Sequence, residues 1–482
     1  MHDIVSSGQD EHLHSHALNR HAVIPTSDKL NADPRFTGLG IRIAFLDSGF
    51  YPHPDIVDRV VSFHDIHGED RSLYSVVEPS GYHWHGTQTV VSCAGNGSLS
   101  NGVYRGIAHQ AELVLVKVSK SGAIGDDSIA AGLEWIKKNR TKFDIRILNI
   151  SLGGDVDAAT GESKINQLCE ELVESGLVIT VASGNSSERC TIPPASAPSV
   201  ITVGGYSDGN VIDSDKLDLY HSSFGKTADG NVKPELIAPA MYVAAPILPN
   251  TPDYQEAEIL SMLSSAPDFS FAALLAEYWR ESGLNEDILN LSPEDARQLV
   301  EYGLRKRKVV ATHYQHVDGT SFAAPITASV VAQMLEANTS LPPAAIKNIL
   351  AMSAERIRSD RPIRQGYGVL NARRAVELAA SEMHGGAIGF RAPTRKGEMV
   401  EFTFHDDHAE SVQFVGDPNN WIKDSAPFKR LANGLWTTSV RIREQQRFRY
   451  KFLIDNERWI EDPTHGMKEE DGFGGFHSVL QI

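Results

Sequence analysis

Cysteine is scarce, with Cys93, Cys169 and Cys190 the three in 482 residues. So small and odd a number cannot build a disulfide scaffold, which excludes the disulfide-rich secreted class and points to a reducing compartment. No window approaches the ~18 consecutive apolar residues of a bilayer-spanning helix, so no membrane span is expected. Positive charge is also short: 45 Lys and Arg stand against 62 Asp and Glu, a formal charge of −17. That balance argues against nucleic acid or an anionic membrane as partner. The first twenty residues lack the apolar core of a signal peptide and carry His2, His12, His14 and His16 instead, so a cytoplasmic location is expected. What is there is the mixture of a globular chain, 41% apolar and 22% charged. At ~100–200 residues per domain the length predicts two to four domains.

Residues 1–36 form a polar, His-rich leader. From residue 41 short apolar runs recur at Ile41–Leu46, Leu113–Val118, Ile145–Leu152, Leu177–Ala182 and Val200–Val203. They are rich in Val and Ile and apolar on both faces, as strands of a parallel sheet covered on each side must be. Between them Ile129, Leu133 and Ile136, then Ile165, Leu168 and Leu172, follow helical spacing. Asp126-Asp127-Ser128 supplies capping chemistry ahead of the first of these helices. This alternation predicts an α/β domain with a doubly wound, mostly parallel sheet over residues 37–380. The rhythm breaks at 246–308, an insertion with helical stretches at Ala272–Trp279 and Pro293–Tyr302, closed by the basic run Arg305–Lys308. From 395 to 482 apolar and polar residues alternate between turn signals, for example Val400–Phe404 and Phe448–Phe452. That pattern predicts a separate all-β sandwich. This last segment has 12 basic and 15 acidic residues, so all but three of the net negative charges lie upstream.

Three segments carry chemistry. The run Ile41–Leu46 ends in Asp47-Ser48-Gly49, a carboxylate at the carboxyl end of a buried strand, where α/β sheets place their sites. His83-Trp84-His85-Gly86-Thr87 follows. Asp318-Gly319-Thr320-Ser321-Phe322-Ala323-Ala324-Pro325 then runs into a helical pattern, putting Ser321 in a first turn whose amides and dipole favour an oxyanion. Each alone has an ordinary reading as a turn, a surface histidine or a helix cap.

The order Asp, His, Ser is that of subtilisin. With Tyr104–Ala108, Ser151–Gly154, Ala182–Asn185, Lys233-Pro234-Glu235, Ala238-Pro239 and Gly366–Asn371 also in place, the chain resembles the subtilisin-like serine peptidases. The resemblance implies a serine endopeptidase with Ser321 as nucleophile, His85 as base and then acid, Asp47 orienting the imidazole, and Asn185 donating to the oxyanion. It implies that Ser151, Leu152, Gly153 and Gly154 line an extended peptide substrate and, with Ala182, Ser183 and Gly184, wall the pocket for the residue before the scissile bond. Small uncharged walls favour apolar or bulky side chains there.

Gln88 stands where members of the family carry a second histidine, and Ala240 where a glycine follows Ala-Pro. The loop Gly95–Gly102 offers Asn96, Ser98 and Asn101 without a carboxylate, a poor set for calcium. No metal and no other cofactor is expected. The leader is shorter than the propeptides of secreted members, which suggests the intracellular branch and a protease restrained in its own compartment. The leader is a candidate inhibitory segment, and the insertion a candidate lid or docking surface for a protein partner. The cysteines read as small core residues.

In the last segment Val415–Trp421, Asn433–Trp436, Tyr450–Phe452 and Asn456–Trp459 with Asp462-Pro463 resemble the glycogen-binding modules of carbohydrate-binding family 48, which are immunoglobulin-like sandwiches. That resemblance implies an α-glucan platform of Trp421, Lys451 and Trp459, with Trp436 in the core. It also brings a rival function, a glucan-binding targeting or scaffold protein with an auxiliary or gated protease domain.

Overall fold

A computed structural model describes residues 21–68, 72–154, 157–187, 190–213, 216–357, 361–382, 393–406, 408–431, 434–442 and 447–481. Residues 1–20 of the leader, with their four histidines, lie outside the described residues.

The short helix α1 (Thr26–Lys29) precedes β1 (Arg42–Asp47), β2 (Val60–Asp65), α2 (His83–Ala94), β3 (Glu112–Lys117), α3 (Asp126–Asn139), β4 (Ile147–Ile150), α4 (Lys164–Glu174), β5 (Val178–Ala182) and β6 (Ile201–Ser207). After β7 (Asp218–Leu219) and the hairpin of β8 (Gly225–Lys226) and β9 (Val232–Lys233) comes β10 (Leu236–Pro239). Among the described residues one sheet runs β10-β6-β5-β4-β1-β3-β2, all parallel, with β7 antiparallel beside β6. All five apolar runs become strands of it. On one face Phe45, Val90, Val91, Phe322 and Ile326 pack; on the other Leu46, Val116, Ile129, Leu133 and Leu172 do. Burial at ~1.5–3 kcal/mol per large apolar side chain holds both layers. Strands β2 and β7 were not foreseen: β2 lies at the sheet edge, and residues Val60–His64 vary in exposure instead of forming a continuous apolar run.

Helices α3 and α4 coincide with the predicted periodic segments. Gly125, not an aspartate, caps α3; Asp126 and Asp127 lie in its first turn, where their charge meets the positive end of the helix. Cys93 and Cys169 are buried as expected, but Cys190 is exposed.

The insertion leaves from β11 (Val243–Pro246), runs through α5 (Pro252–Ser265), α6 (Asp268–Tyr278) and α7 (Pro293–Lys306), and returns as β12 (Val309–Ala311) and β13 (Tyr314–Val317). Antiparallel pairing of β13 with β11 brings its two ends together. Leu260, Leu263, Phe271, Val300 and Leu304 give it a small core of its own. At its base the buried Tyr314 hydroxyl donates to Asp55 Oδ2 at 2.7 Å, and the Ser98 hydroxyl takes Asp55 Oδ1 at 2.8 Å. Among the described residues no group of three or more His, Cys, Asp or Glu is arranged to hold a metal ion.

The described part of the leader packs beside this base. Val23 is buried with Tyr104 and Tyr314, and Lys29 pairs with Asp208 at 2.9 Å and donates to the Tyr242 carbonyl. Helices α8 (Thr320–Ala337), α9 (Pro343–Ser353), α10 (Pro362–Gln365) and α11 (Ala372–Ser381) complete the α/β part.

The last segment holds β14 (Thr394–Lys396), β15 (Met399–His405), β16 (Val412–Gly416), β17 (Lys429–Arg430), β18 (Leu435–Arg441), β19 (Arg447–Ile454), β20 (Arg458–Ile460), β21 (Lys468–Glu470) and β22 (Phe476–Gln481). One sheet runs β14-β15-β18-β17 and the other β16-β19-β22-β21, with β20 beside β19; every pair is antiparallel. Phe402, Phe404, Phe414, Trp436, Tyr450 and Phe452 fill the space between them. Trp436 is core, its indole nitrogen donating to the Asp406 carbonyl. Among the described residues no helix is long and apolar enough to cross a membrane.

Candidate active site

Asp47 ends β1 in the middle of the sheet, and α2 begins opposite it. His85 Nδ1 lies 2.8 Å from Asp47 Oδ1. Asp47 also accepts from the Ser48 amide at 2.6 Å and from the Thr89 hydroxyl, one turn beyond His85, at 3.2 Å. Donors from the strand end and from the helix thus fix one carboxylate. Burial opposes the charged imidazolium of His85, but the charge of Asp47 and the hydrogen bond to it together outweigh burial and hold the pKa above the usual histidine value.

Helix α8 starts at Thr320, behind Gly319 with φ +139°, a conformation that a side chain resists. Ser321 is therefore the second helical residue, where a backbone N–H has no intrahelical acceptor. Its hydroxyl donates to the Ser151 carbonyl at 3.4 Å, while the Ser151 hydroxyl donates to the Ser321 carbonyl at 2.8 Å. The next residue, Phe322, brings its ring to 6.1 Å from that of His85. Asn185 follows β5, and its Oδ1 accepts from both the Thr320 amide and the Thr320 hydroxyl at 2.9 Å. Anchoring the oxygen leaves the amide nitrogen as the end available to a ligand.

The residues expected to wall a substrate pocket lie on the elements around this centre. Gly184 N donates to the Thr320 hydroxyl at 3.2 Å, and Ser183 N to the Val203 carbonyl. Ala182 closes β5, in register with β6. Gly154 N donates to the Pro193 carbonyl at 2.8 Å, and Gly153 lies against Ile192. A cleft of about 490 Å³ beside His85 is lined by Ser48, Tyr82, Trp84, Gly122, Ile124 and Leu152. Thr89, Thr320, Tyr82 and Trp84 were not singled out from the sequence. Thr89 had a local signal, one helical turn after His85; Thr320 had none, since its partner is 135 residues away. His83, the other histidine of that segment, is buried, with its ring stacked on Tyr51 and its Nδ1 accepting from Ser80 N.

The two departures have structural partners. Gln88 is buried and donates to the Pro246 carbonyl at 2.9 Å, tying α2 to the start of the insertion. The Ala240 carbonyl accepts from Gly319 N at 2.7 Å. Of the basic run, Arg307 pairs with Glu256, and Lys308 with Asp318 at 2.5 Å, one residue before Gly319.

Residues 38–369 match the subtilase family. The chain belongs to that family. This subtilase is 30% identical over 351 residues to the serine protease AprX of Bacillus subtilis (strain 168), covering 70% of this chain and 67% of AprX. It is 34% identical over 177 residues to subtilisin Savinase of Lederbergia lenta, covering 36% of this chain and 58% of that protein. The crystal structure of fervidolysin from Fervidobacterium pennivorans, described as a keratinolytic enzyme related to subtilisin, overlays with a TM-score of 0.51 at 18% identity, covering 89% of this chain and 55% of that one. At that identity it supports the fold. Residues 388–471 match carbohydrate-binding module 48, the isoamylase N-terminal domain.

In that module the expected platform is only partly open. Trp459 is 41% exposed and has the Lys423 ammonium 5.7 Å above its ring. Trp421 packs its ring 4.8 Å from that of His477 and donates Nε1 to Asp417. Lys451 is buried, and Asp471 holds its ammonium at 2.5 Å.

Proposed function

We propose that this subtilase is an endopeptidase that works inside the cell under restraint and cleaves peptide bonds through Asp47, His85 and Ser321, with Asn185 in the oxyanion hole. The observation that carries the reading is the His85–Asp47 hydrogen bond at 2.8 Å, beside a helix that carries Ser321 in its first turn. In this mechanism Asp47 holds the Nδ1–H tautomer, so His85 Nε2 is free to take the Ser321 proton as Oγ attacks the carbonyl. The imidazolium then protonates the leaving amine, and water repeats the cycle on the acyl-enzyme. The Ser321 amide and the Asn185 carboxamide receive the oxyanion. The residue before the scissile bond lies between Ser151–Gly154 and Ala182–Gly184, whose small uncharged walls suit apolar or bulky side chains. The insertion is the source of restraint in this reading, since Lys308 grips Asp318 at the edge of the serine segment.

A fluorophosphonate probe tests it. The native chain is labelled and hydrolyses a peptide substrate, and Ser321→Ala does neither; undiminished turnover in that variant removes the assignment. A second reading adds an α-glucan ligand, favoured by the module match at 388–471 and the exposed face of Trp459. Retention on amylose resin that Trp459→Ala abolishes supports it, and equal elution of the two proteins removes it.

A further inference from the structure

The β8–β9 hairpin joins the substrate pocket to the C-terminal module. At its root the Ser223 amide donates to the Gly184 carbonyl at 2.9 Å. The Ser223 hydroxyl donates to the Ser186 carbonyl at 3.1 Å and accepts from the Ser186 amide at 3.4 Å, so Ser223 cradles the turn that carries Asn185. At its tip, Asp229 accepts from the Thr160 amide at 2.8 Å. Beyond the tip, Val232 N donates to the Gly466 carbonyl at 2.8 Å, and Asn231 forms an antiparallel bridge with Met467. Met467 in turn accepts from Val479 N of β22. The hairpin therefore extends the edge of the module's sheet, covering backbone groups that an edge leaves open, and the peptidase pocket and the module share one run of strand hydrogen bonds.

We propose that the C-terminal module is a positioning element for the peptidase: it holds the β8–β9 hairpin, and through Ser223 it sets the wall Ala182–Gly184 and the neighbouring Asn185. The module would thus tune which side chain is accepted before the scissile bond, whether or not it binds a glycan. The inference rests on the active-site reading above. Nothing in the chemistry of the triad requires it, because none of the linking residues touches Asp47, His85 or Ser321 among the described contacts.

Gly466 supplies the test. Its φ is not in the left-handed region, so the cost of a side chain is one of space: an added methyl would overlap Asn231 Oδ1 and stand 2.8 Å from its Cγ, so the Asn231 side chain must shift. Gly466→Ala should wedge the bridge apart. The measurement is kcat/KM on peptide anilides that differ only in the residue before the scissile bond, Phe against Ala, normalised to sites titrated by a fluorophosphonate. The expected result is a change of threefold or more in the Phe/Ala ratio, with the Phe substrate losing roughly tenfold, the scale of a sub-ångström misplacement. Asn231→Ala in the Gly466→Ala background removes the atom the methyl meets and should restore the ratio. A general loss of folding lowers both rates alike and is cancelled by the titration. Ser223→Ala removes the hydroxyl contacts to Ser186 at the other end, keeping the amide bond to Gly184, and should move the ratio in the same direction; it decides the matter if the Gly466 variant does not fold. An unchanged ratio in the folded variants overturns the proposal. Failure of the wild-type chain to label at all overturns the active-site reading instead.

Discussion

Asn185 gives its carboxamide oxygen to two donors on Thr320, so in the proposed mechanism the amide nitrogen is the end that faces substrate. Asn185→Ala removes a donor to charge that develops only in the transition state. In steady-state kinetics kcat should fall by ~10²–10³ with KM nearly unchanged; a pure KM effect excludes the role. His85 allows a second test. A base must be neutral to act, and Asp47 holds the His85 pKa above the usual value of 6.5. The acid limb of kcat/KM should therefore have its midpoint above pH 6.5. In Asp47→Asn the raising influence is gone and burial remains, so the limb should move below pH 6.5 while the rate drops by ~10⁴. These residues could be read as candidates because each sits in a short motif with its own local logic. Thr320 and Ser223 were not, because hydrogen bonds made across more than a hundred residues, or through a hairpin, leave no local pattern.

Strand and helix meet at the site with no room to spare. A methyl at Gly86 would overlap the Gly49 carbonyl oxygen and stand 3.0 Å from the Phe50 ring and 3.1 Å from Asp47 Cβ. Only a glycine after His85 lets α2 sit against the turn that follows β1. Gly86→Ala should push the helix off that turn and lengthen the His85–Asp47 contact. The expected loss in kcat/KM is ~10²-fold or more, with the fold retained by circular dichroism; wild-type rates would show that the packing is looser than drawn. Elements with strong periodicity were readable in advance: the central strands as continuous Val- and Ile-rich runs, α3 and α4 as apolar stripes. Those whose character comes from position were not. Residues 60–65 form an edge strand with mixed exposure, and Gly125 caps α3 although two aspartates follow it. The insertion's helices could be read, but not the pairing of β11 with β13, which brings residues seventy apart in sequence into one ribbon.

At the scale of the molecule, the peptidase and the module meet across buried charge. Arg356, after α9, donates to Glu461 Oε1 at 2.8 Å and to the Gly366 carbonyl at 2.7 Å, and its guanidinium lies 5.3 Å from the centre of the Phe476 ring. The same Glu461 oxygen accepts from Phe476 N. Burial alone would raise the Glu461 pKa; Arg356 and Lys468 outweigh it and hold it below the usual carboxylate value. Lys468, buried and 2.6 Å from the Tyr367 hydroxyl, is pushed down to about 8 by burial. Arg356→Met keeps much of the apolar stem and deletes the charge, leaving Glu461 with Lys468 as its cation. The expected cost is ~3–5 kcal/mol, that of breaking one side of a buried pair. Its pH dependence has a definite sign. A carboxylate depressed in the folded state contributes stability above its unfolded pKa of 4.5 and loses it as pH falls through the lower folded value. The gap between variant and wild type should thus be full at neutral pH and narrow on acidification below about 4.5. Calorimetry at pH 7 and at pH 4 checks this. One cooperative endotherm for the native chain should divide into two for Arg356→Met at pH 7, the module melting first, and adding Glu461→Gln should recover part of the loss. Identical endotherms for variant and wild type at pH 7 would mean that strand pairing through Gly466 and Met467, and not the charge cluster, holds the two parts together.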